Sequence, residues 1–303
     1  MKIWEFAKVE GSSIKVDKWV SDTMGLIEGG CVYSTLFKYP MKGPKMYELI
    51  LSMFPQENYR TLTKVTMYLQ DVPGASAQAA RFLADRGINI LNSISLNGIS
   101  DTIIVWKILA DLNFTGEGDI IKERLAELKA ARDPSVDKID HISVKATDIG
   151  RVFRTETAQA QDKIEVRKGA PQTLKDGAFD TSREYGDVLS GVGDSNVLIT
   201  MDSESWILSI TFFRPGTRLV RLGLDIPDCP GAITQALELL ASKGLNLISI
   251  FSKVKIAYQT MSLELVADIG GTDLTVRGLG DSLPEEMSGF NGIFELTECS
   301  ELE

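Results

Sequence analysis

Histidine is almost absent from this sequence. The single one, His141, excludes a His-centred catalytic triad or a multi-histidine metal site assembled within one chain, and it reads as a structural residue of a strand. Cysteine is scarce too: Cys31, Cys229 and Cys299 are odd in number and far apart, which excludes a closed disulfide framework and any C-x-x-C motif. Reduced, mostly buried thiols are the expectation. No window approaches the roughly 18 uncharged apolar residues that a membrane-spanning helix needs, and the opening residues Met1 to Phe6 lack the apolar stretch of a secretory signal. The expected compartment is cytoplasmic, with no membrane partner. Gly191-Val192-Gly193 and Gly278-Leu279-Gly280 lack the third glycine and the preceding strand of a dinucleotide loop, and no G-x-x-x-x-G-K-S/T phosphate loop occurs. They read as turns, and no cofactor is expected. Trp19, Trp106 and Trp206 fall in apolar stretches and read as packing residues, while Glu285-Glu286 beside Pro284 reads as a solvated loop.

Basic residues are outnumbered, 32 Lys and Arg against 42 Asp and Glu, for a formal net charge of -10. A chain of that sign repels phosphate backbones, so nucleic acid is a poor partner for the whole molecule. The imbalance is uneven: residues 218–303 carry 13 acidic against 6 basic side chains, residues 1–60 carry 7 against 8. Only the N-terminal stretch, with Lys2, Lys8, Lys15, Lys18, Lys38, Lys42 and Lys45, escapes the argument.

What the chain does have is a repeat. At 303 residues and 44% hydrophobic it is long enough for two or more domains. Shifting it by 157 positions aligns residues 49–111 with 206–268 without a gap, and about 18 of those 63 positions are identical. The matches include Asp71-Val72-Pro73-Gly74-Ala75 with Asp228-Cys229-Pro230-Gly231-Ala232, Gln78-Ala79 with Gln235-Ala236, and Gly87-Ile88-Asn89 with Gly244-Leu245-Asn246. Such a register points to an internal duplication.

Within each copy the hydrophobic period changes in a fixed order. Residues 62–70 alternate as a strand with Leu62, Val65, Met67 and Leu69 on the buried face. Pro73-Gly74 breaks it, and residues 75–86 have helical spacing with Ala79, Phe82 and Leu83 on one side, stopped by Gly87. Residues 88–96 and 102–109 predict two strands around an Asn97-Gly98 turn, followed by a helix over 120–131 and a strand over 139–144. The second copy predicts strands over 218–226, 245–254, 258–267 and 292–298 and a helix over 232–243. Gly278 and Gly280 predict a short or irregular second helix over 272–283. The order βαββαβ gives an α+β fold, two ferredoxin-like modules each with an antiparallel sheet covered by two helices.

The strand ending in Asp-x-Pro-Gly-Ala, then a helix, then Gly-(Ile/Leu)-Asn-(Ile/Leu) opening the next strand, resembles the ACT domain, seen twice over roughly half of the chain. The resemblance implies regulation rather than catalysis: modules that pair side by side or face to face and often bind an amino acid at the pair's interface. A homodimer and a regulated protein partner are the corresponding expectations. Gly74 and Gly231 let backbone approach a ligand closely, and the helices that follow, at Ala75 and Ala232 after Pro73 and Pro230, offer unpaired N–H groups suited to a carboxylate. Asp71 and Asp228 are placed to meet an ammonium. Asn89 and Asn246, with Ile90 and Leu247 beside them, open the next strand with donor and acceptor together. The alternative is purely structural, with each Asp capping its helix and each Asn bonding local backbone.

Ahead of each module lies a less legible segment that also looks repeated, Ile14 to Lys18 echoing Ile164 to Lys168 and Leu26 to Gly29 echoing Leu174 to Gly177. The expected domains are therefore a small β-rich lobe over 1–60, an ACT-like module over 61–146, a second lobe over 147–217 and a second module over 218–303. The run Ile14 to Thr35 resembles the swapped-hairpin lobe of AbrB-type transcription regulators, in which leucine-glutamate-glycine follows a short helix. That resemblance implies DNA binding by the first lobe as one alternative, and an ACT-controlled enzyme of amino-acid metabolism is another. The expectation carried forward is a non-catalytic sensor of a small metabolite.

Overall fold

The alternation read from Leu62 onward builds the first module. The computed structural model describes residues 2–40, 43–55, 62–97, 102–112, 118–147, 164–192, 195–202 and 206–302. After β1 (Lys2–Lys8), β2 (Ser13–Lys15), α1 (Lys18–Met24), β3 (Cys31–Lys38) and β4 (Lys45–Ser52) come the module's elements: β5 (Leu62–Gln70), α2 (Ala75–Ala84), β6 (Asn89–Asn97), β7 (Ile103–Asp111), α3 (Gly118–Ala130) and β8 (Ile139–Ala146). The strands form one antiparallel sheet in the order β6-β7-β5-β8. Leu62, Val65, Met67 and Leu69 are buried, and Val65, Met67 and Leu69 share one core with Ala79, Phe82 and Leu83 of α2 and Ile121 and Leu125 of α3. Each of the larger side chains among these stabilises the fold by about 1.5–3 kcal/mol when fully buried. Gly87, at φ 68°, turns the chain out of α2, and the Ile88 N–H returns to Leu83 O at 3.2 Å. Gly98 of the expected hairpin turn lies outside the described residues.

The second module repeats this with β14 (Leu219–Pro227), α5 (Ala232–Ser242), β15 (Asn246–Ile256), β16 (Thr260–Asp268), α6 (Val276–Met287) and β17 (Glu295–Glu301), in the order β15-β16-β14-β17. Its register is the first module's moved by 157: Leu62 pairs with Asp111 and Leu219 with Asp268, and the irregularity at Ile90/Asn92 recurs at Leu247/Ser249. The molecule is thus α+β, with two ferredoxin-like modules. One expectation fails. The helix over Val276–Met287 is regular despite Gly278, Gly280 and Pro284, because Leu279, Leu283 and Met287 are buried on one stripe and Thr275 Oγ1 accepts the Gly278 N–H at 3.0 Å. Packing and a cap outweigh poor propensity. Glu285 and Glu286 consequently lie in that helix, not in a loop.

The chain divides into two compact units, Ser52–Asp162, and Met1–Leu51 with Lys163–Glu303. Residues 1–51 and 163–217 of the two lobes both fall in the second of these. With β9 (Glu165–Lys168), β10 (Gln172–Thr173), β11 (Ala178–Asp180), α4 (Ser182–Leu189), β12 (Asn196–Asp202) and β13 (Ile207–Phe213), they form a single sheet ordered β1-β12-β13-β4-β3, with β9 and β10 both on the far side of β3. Each half gives its first strand to the other. A second small ladder, β2 with β11, pairs Ile14 with Phe179.

Equivalent positions in the lobes stand 165 apart, as Ala7–Val197 against Gln172–Val32 and the bridges Glu10–Ser13 and Lys175–Ala178 show. The sequence echo of Ile14–Lys18 in Ile164–Lys168 was therefore misaligned. Identity has faded there, and what persists is burial: Val9 and Leu174, Ile14 and Phe179, Val20 and Tyr185, and Val32 and Val197 are all in the core.

Other expectations also shift. Cys31 and Cys229 are exposed, and only Cys299 is half-buried, where burial pushes its thiol pKa up. Trp19 is exposed, whereas Trp106 packs on the first module's core. Among the described residues no helix is long and apolar enough to cross a membrane.

Candidate functional site

At both Asp-x-Pro-Gly corners a strand ends, the chain turns through four exposed or half-buried residues, and a helix begins on a buried alanine. The turn needs glycine. Gly74 has φ 86° and Gly231 has φ 91°, a left-handed conformation that costs L-residues about 1–2 kcal/mol. The N–H of Ala75 is used by the turn itself, donating to Val72 O at 3.2 Å, as is that of Ala232, to Cys229 O at 3.3 Å. Intrahelical bonding starts only with Gln78 to Gly74 O at 2.9 Å and Gln235 to Gly231 O at 3.0 Å. The amides of Ser76 and Ala77, and of Ile233 and Thr234, are thus left without an intrahelical acceptor. No side chain caps either helix. Two exposed turns of backbone N–H groups therefore carry the positive end of a helix dipole.

The aspartates do not cap their helices, so that alternative is not what holds the turn. Asp71 is exposed, its N–H donating to Thr102 O at 2.9 Å. Asp228 is half-buried, and its carboxylate accepts the Tyr258 N–H at 2.6 Å, bracing the β15–β16 turn where Tyr258 sits at φ 61°.

Sequence reasoning missed Lys138. Its Nζ donates to Pro73 O at 3.0 Å and lies 3.3 Å from where a Cβ on Gly74 would be, adding a cation to the first corner. Gln78 holds the loop that delivers it: Oε1 accepts the Lys138 N–H at 2.8 Å, and Nε2 donates to Asp137 Oδ1 at 2.7 Å and Pro134 O at 2.8 Å. The repeated Gln78 and Gln235 were the available signal. Beside Gly231 no atom of the described residues other than its chain neighbours lies within 4 Å of the corresponding point, so among the described residues the second corner is open and lacks that cation.

Asn89 and Asn246 do not join these corners within a module. Asn89 pairs with Asp111, which also pairs with Leu62 at the start of β5, whereas Asp71 follows its end. Nine residues of strand at about 3.3 Å each separate the two ends by roughly 26–30 Å. Asn246 is exposed and likewise pairs with Asp268, which also pairs with Leu219, and Leu247 and Ile90 are half-buried beside the two asparagines. Around Asn246 is an open cavity of about 370 Å³ that Arg214, Asp268 and Gly270 also line. Asp268 Oδ1 is already engaged there by the N–H groups of Gly270 (2.8 Å) and Arg218 (3.1 Å).

In the lobes, the concavity of about 980 Å³ beside β2 and β11 mixes Lys15, Lys18 and Lys175 with Glu5, Glu10, Asp17, Asp176 and Asp180. Carboxylates outnumber ammonium groups, which opposes a phosphate backbone.

No family model matches the chain, and no curated protein does. Among solved structures, it is similar to a candidate glycine cleavage system transcriptional repressor at 11% identity, covering 80% of this chain and 98% of that one, with a TM-score of 0.25. An unknown protein from Galdieria sulphuraria follows at 13% identity, 80% and 99% coverage and a TM-score of 0.23. A protein from Bacteroides thetaiotaomicron stands at 9%, 75% and 90%, and 0.18.

Proposed function

We propose that this chain is a non-catalytic regulatory protein of the cytoplasm that senses a small zwitterion, an amino acid, at its Asp-x-Pro-Gly corners. The observation that carries the reading is the pair of uncapped, exposed helix N-termini opened by Gly74 and Gly231. A ligand carboxylate accepts from those amides, with Lys138 reinforcing the first corner, and its ammonium meets Asp71. Pairing of modules supplies the rest. β6 and β15 are edge strands with unpaired backbone groups, and Ile94, Leu96, Ile250, Val254 and Ile256 on them are exposed. Antiparallel pairing of β6 with β6 of a second copy turns one strand end for end, carrying one copy's Asn89 toward the other's Asp71 end. The ligand then stabilises the dimer, and the coupling passed to a regulated partner is on the order of 1–3 kcal/mol.

Titration calorimetry of the full chain against the twenty amino acids tests this. The expected result is binding of one or a few, at least tenfold weaker at the first corner in Lys138→Met, and a dimer by light scattering. Absence of heat from the whole panel, in a chain that is folded and dimeric, rejects the reading. DNA binding is a second reading, prompted by the strands that the two lobes exchange within one sheet. Retardation of duplex DNA that weakens steeply with salt and is lost in Lys15→Ala/Lys18→Ala would favour it over the sensor.

A further inference from the structure

The two modules treat the cleft between their helices in opposite ways. In the second module, Lys243 at the end of α5 is neutralised by α6: its Nζ donates to Glu286 Oε1 at 2.6 Å and to Ser282 Oγ at 3.3 Å. Its counterpart in the first module, 157 positions earlier, is Arg86. The buried positions Ile121 and Leu125 of α3 match Leu279 and Leu283 of α6, which places Arg124 at the position of Ser282 and Leu128 at that of Glu286. The neutralising carboxylate has thus become a leucine, and the hydroxyl a second cation.

What results is a cavity of about 510 Å³ whose charged lining is Arg81, Arg86, Arg124 and one carboxylate, Asp85. In a chain of formal charge -10 this is a net positive cleft. Arg86 lies 3.7 Å over the Phe82 ring and donates from Nη1 to Phe82 O, while its Nε is sealed from solvent without a partner. Burial, and then repulsion from Arg124, hold its pKa below the ordinary arginine value. Arg124 gives Nη1 to Glu127 at 2.7 Å and is about half exposed. Phe82, Ile121 and Leu128 supply an apolar floor.

We propose that this cleft is a second ligand site, for a small organic anion, a phosphate monoester or a carboxylate, that carries a flat apolar body. The anionic end lies between the Arg86 and Arg124 guanidiniums, whose planar forks suit phosphate and carboxylate oxygens, and the body lies on Leu128 and the exposed Ile120. An anion there supplies the countercharge that Glu286 supplies in the other module.

Phenyl phosphate, benzoate and inorganic phosphate, titrated separately into the full chain, test the proposal. Phenyl phosphate or benzoate is expected to bind in the millimolar range or better, the tighter of the two identifying the source chemistry, and to weaken at least tenfold in Arg124→Gln and in Leu128→Glu, which restores the carboxylate of the second module. Arg124→Gln changes an exposed residue and keeps the test valid if Leu128→Glu does not fold. Failure of both aryl probes to bind, equal binding to wild type and Arg124→Gln, or inorganic phosphate binding as tightly as the better aryl probe would each overturn the proposal. Amino-acid binding at the corners is unaffected by either substitution, so the two readings fail separately.

Discussion

Gly74 and Gly231 show how much a single backbone angle decides. Both sit at φ near 90°, and beside Gly231 nothing would obstruct a Cβ, so Gly231→Ala isolates the conformational strain. A loss of about 1–2 kcal/mol in urea denaturation is expected. Gly74→Ala should lose a similar amount, because its new Cβ would meet the flexible end of Lys138, yet it should also displace that ammonium and weaken ligand at the first corner. Unchanged unfolding midpoints in both variants would show that the left-handed turn is not required. The turns at Gly74 and Gly231 were legible because a strand-to-helix break leaves a local signature. Lys138 was not, since its approach depends on a loop tied back by Gln78 from 60 residues earlier. The asparagines were grouped with the aspartates because they flank one helix in sequence. A strand-helix-strand crossover, however, starts its second strand at the far end of the sheet, and adjacency across the helix is the opposite of proximity.

Helix α6 puts propensity and packing in direct competition. Local reading counted Gly278 and Gly280 against it, each worth about 0.5–1 kcal/mol relative to alanine, whereas three buried apolar side chains on one stripe each contribute more. The competition predicts two shifts of opposite sign. Gly280→Ala should raise stability by about 0.5–1 kcal/mol, since its new Cβ meets only Cys299 Cβ, at 4.0 Å. Leu283→Ala should lower it by about 2–5 kcal/mol. Gly278→Ala is not equivalent, because its Cβ would come within 3.2 Å of the Thr275 Oγ1 that caps the helix. Thermal unfolding of the three variants separates the cases, and a destabilised Gly280→Ala would contradict the account. Elsewhere in the two modules the strands and helices were legible to within a few residues, because alternation and helical spacing survive wherever one face is buried.

On the scale of the whole molecule, sequence continuity is a poor guide to what folds together. The lobe segments looked like two small domains, yet β1 pairs along its length with β12 from the other half, and β3 pairs with β9 and β10. Long-range pairing of this kind leaves no local signal, and with identity faded to a pattern of burial the repeat itself misaligned. The interleaving has a consequence for fragments. Residues 1–51 alone hold β1 without β12 and β3 without β9, so they should remain largely unstructured by circular dichroism. Residues 52–162 contain their whole sheet and the core around Val65, Phe82 and Leu125, and should unfold cooperatively in isolation. Coexpressing residues 1–51 with 163–303 should then restore one stable complex, because each supplies the strands the other's sheet lacks. A folded, monomeric 1–51 fragment would mean that the lobe does not depend on strand exchange, and that its two halves meet as preformed domains.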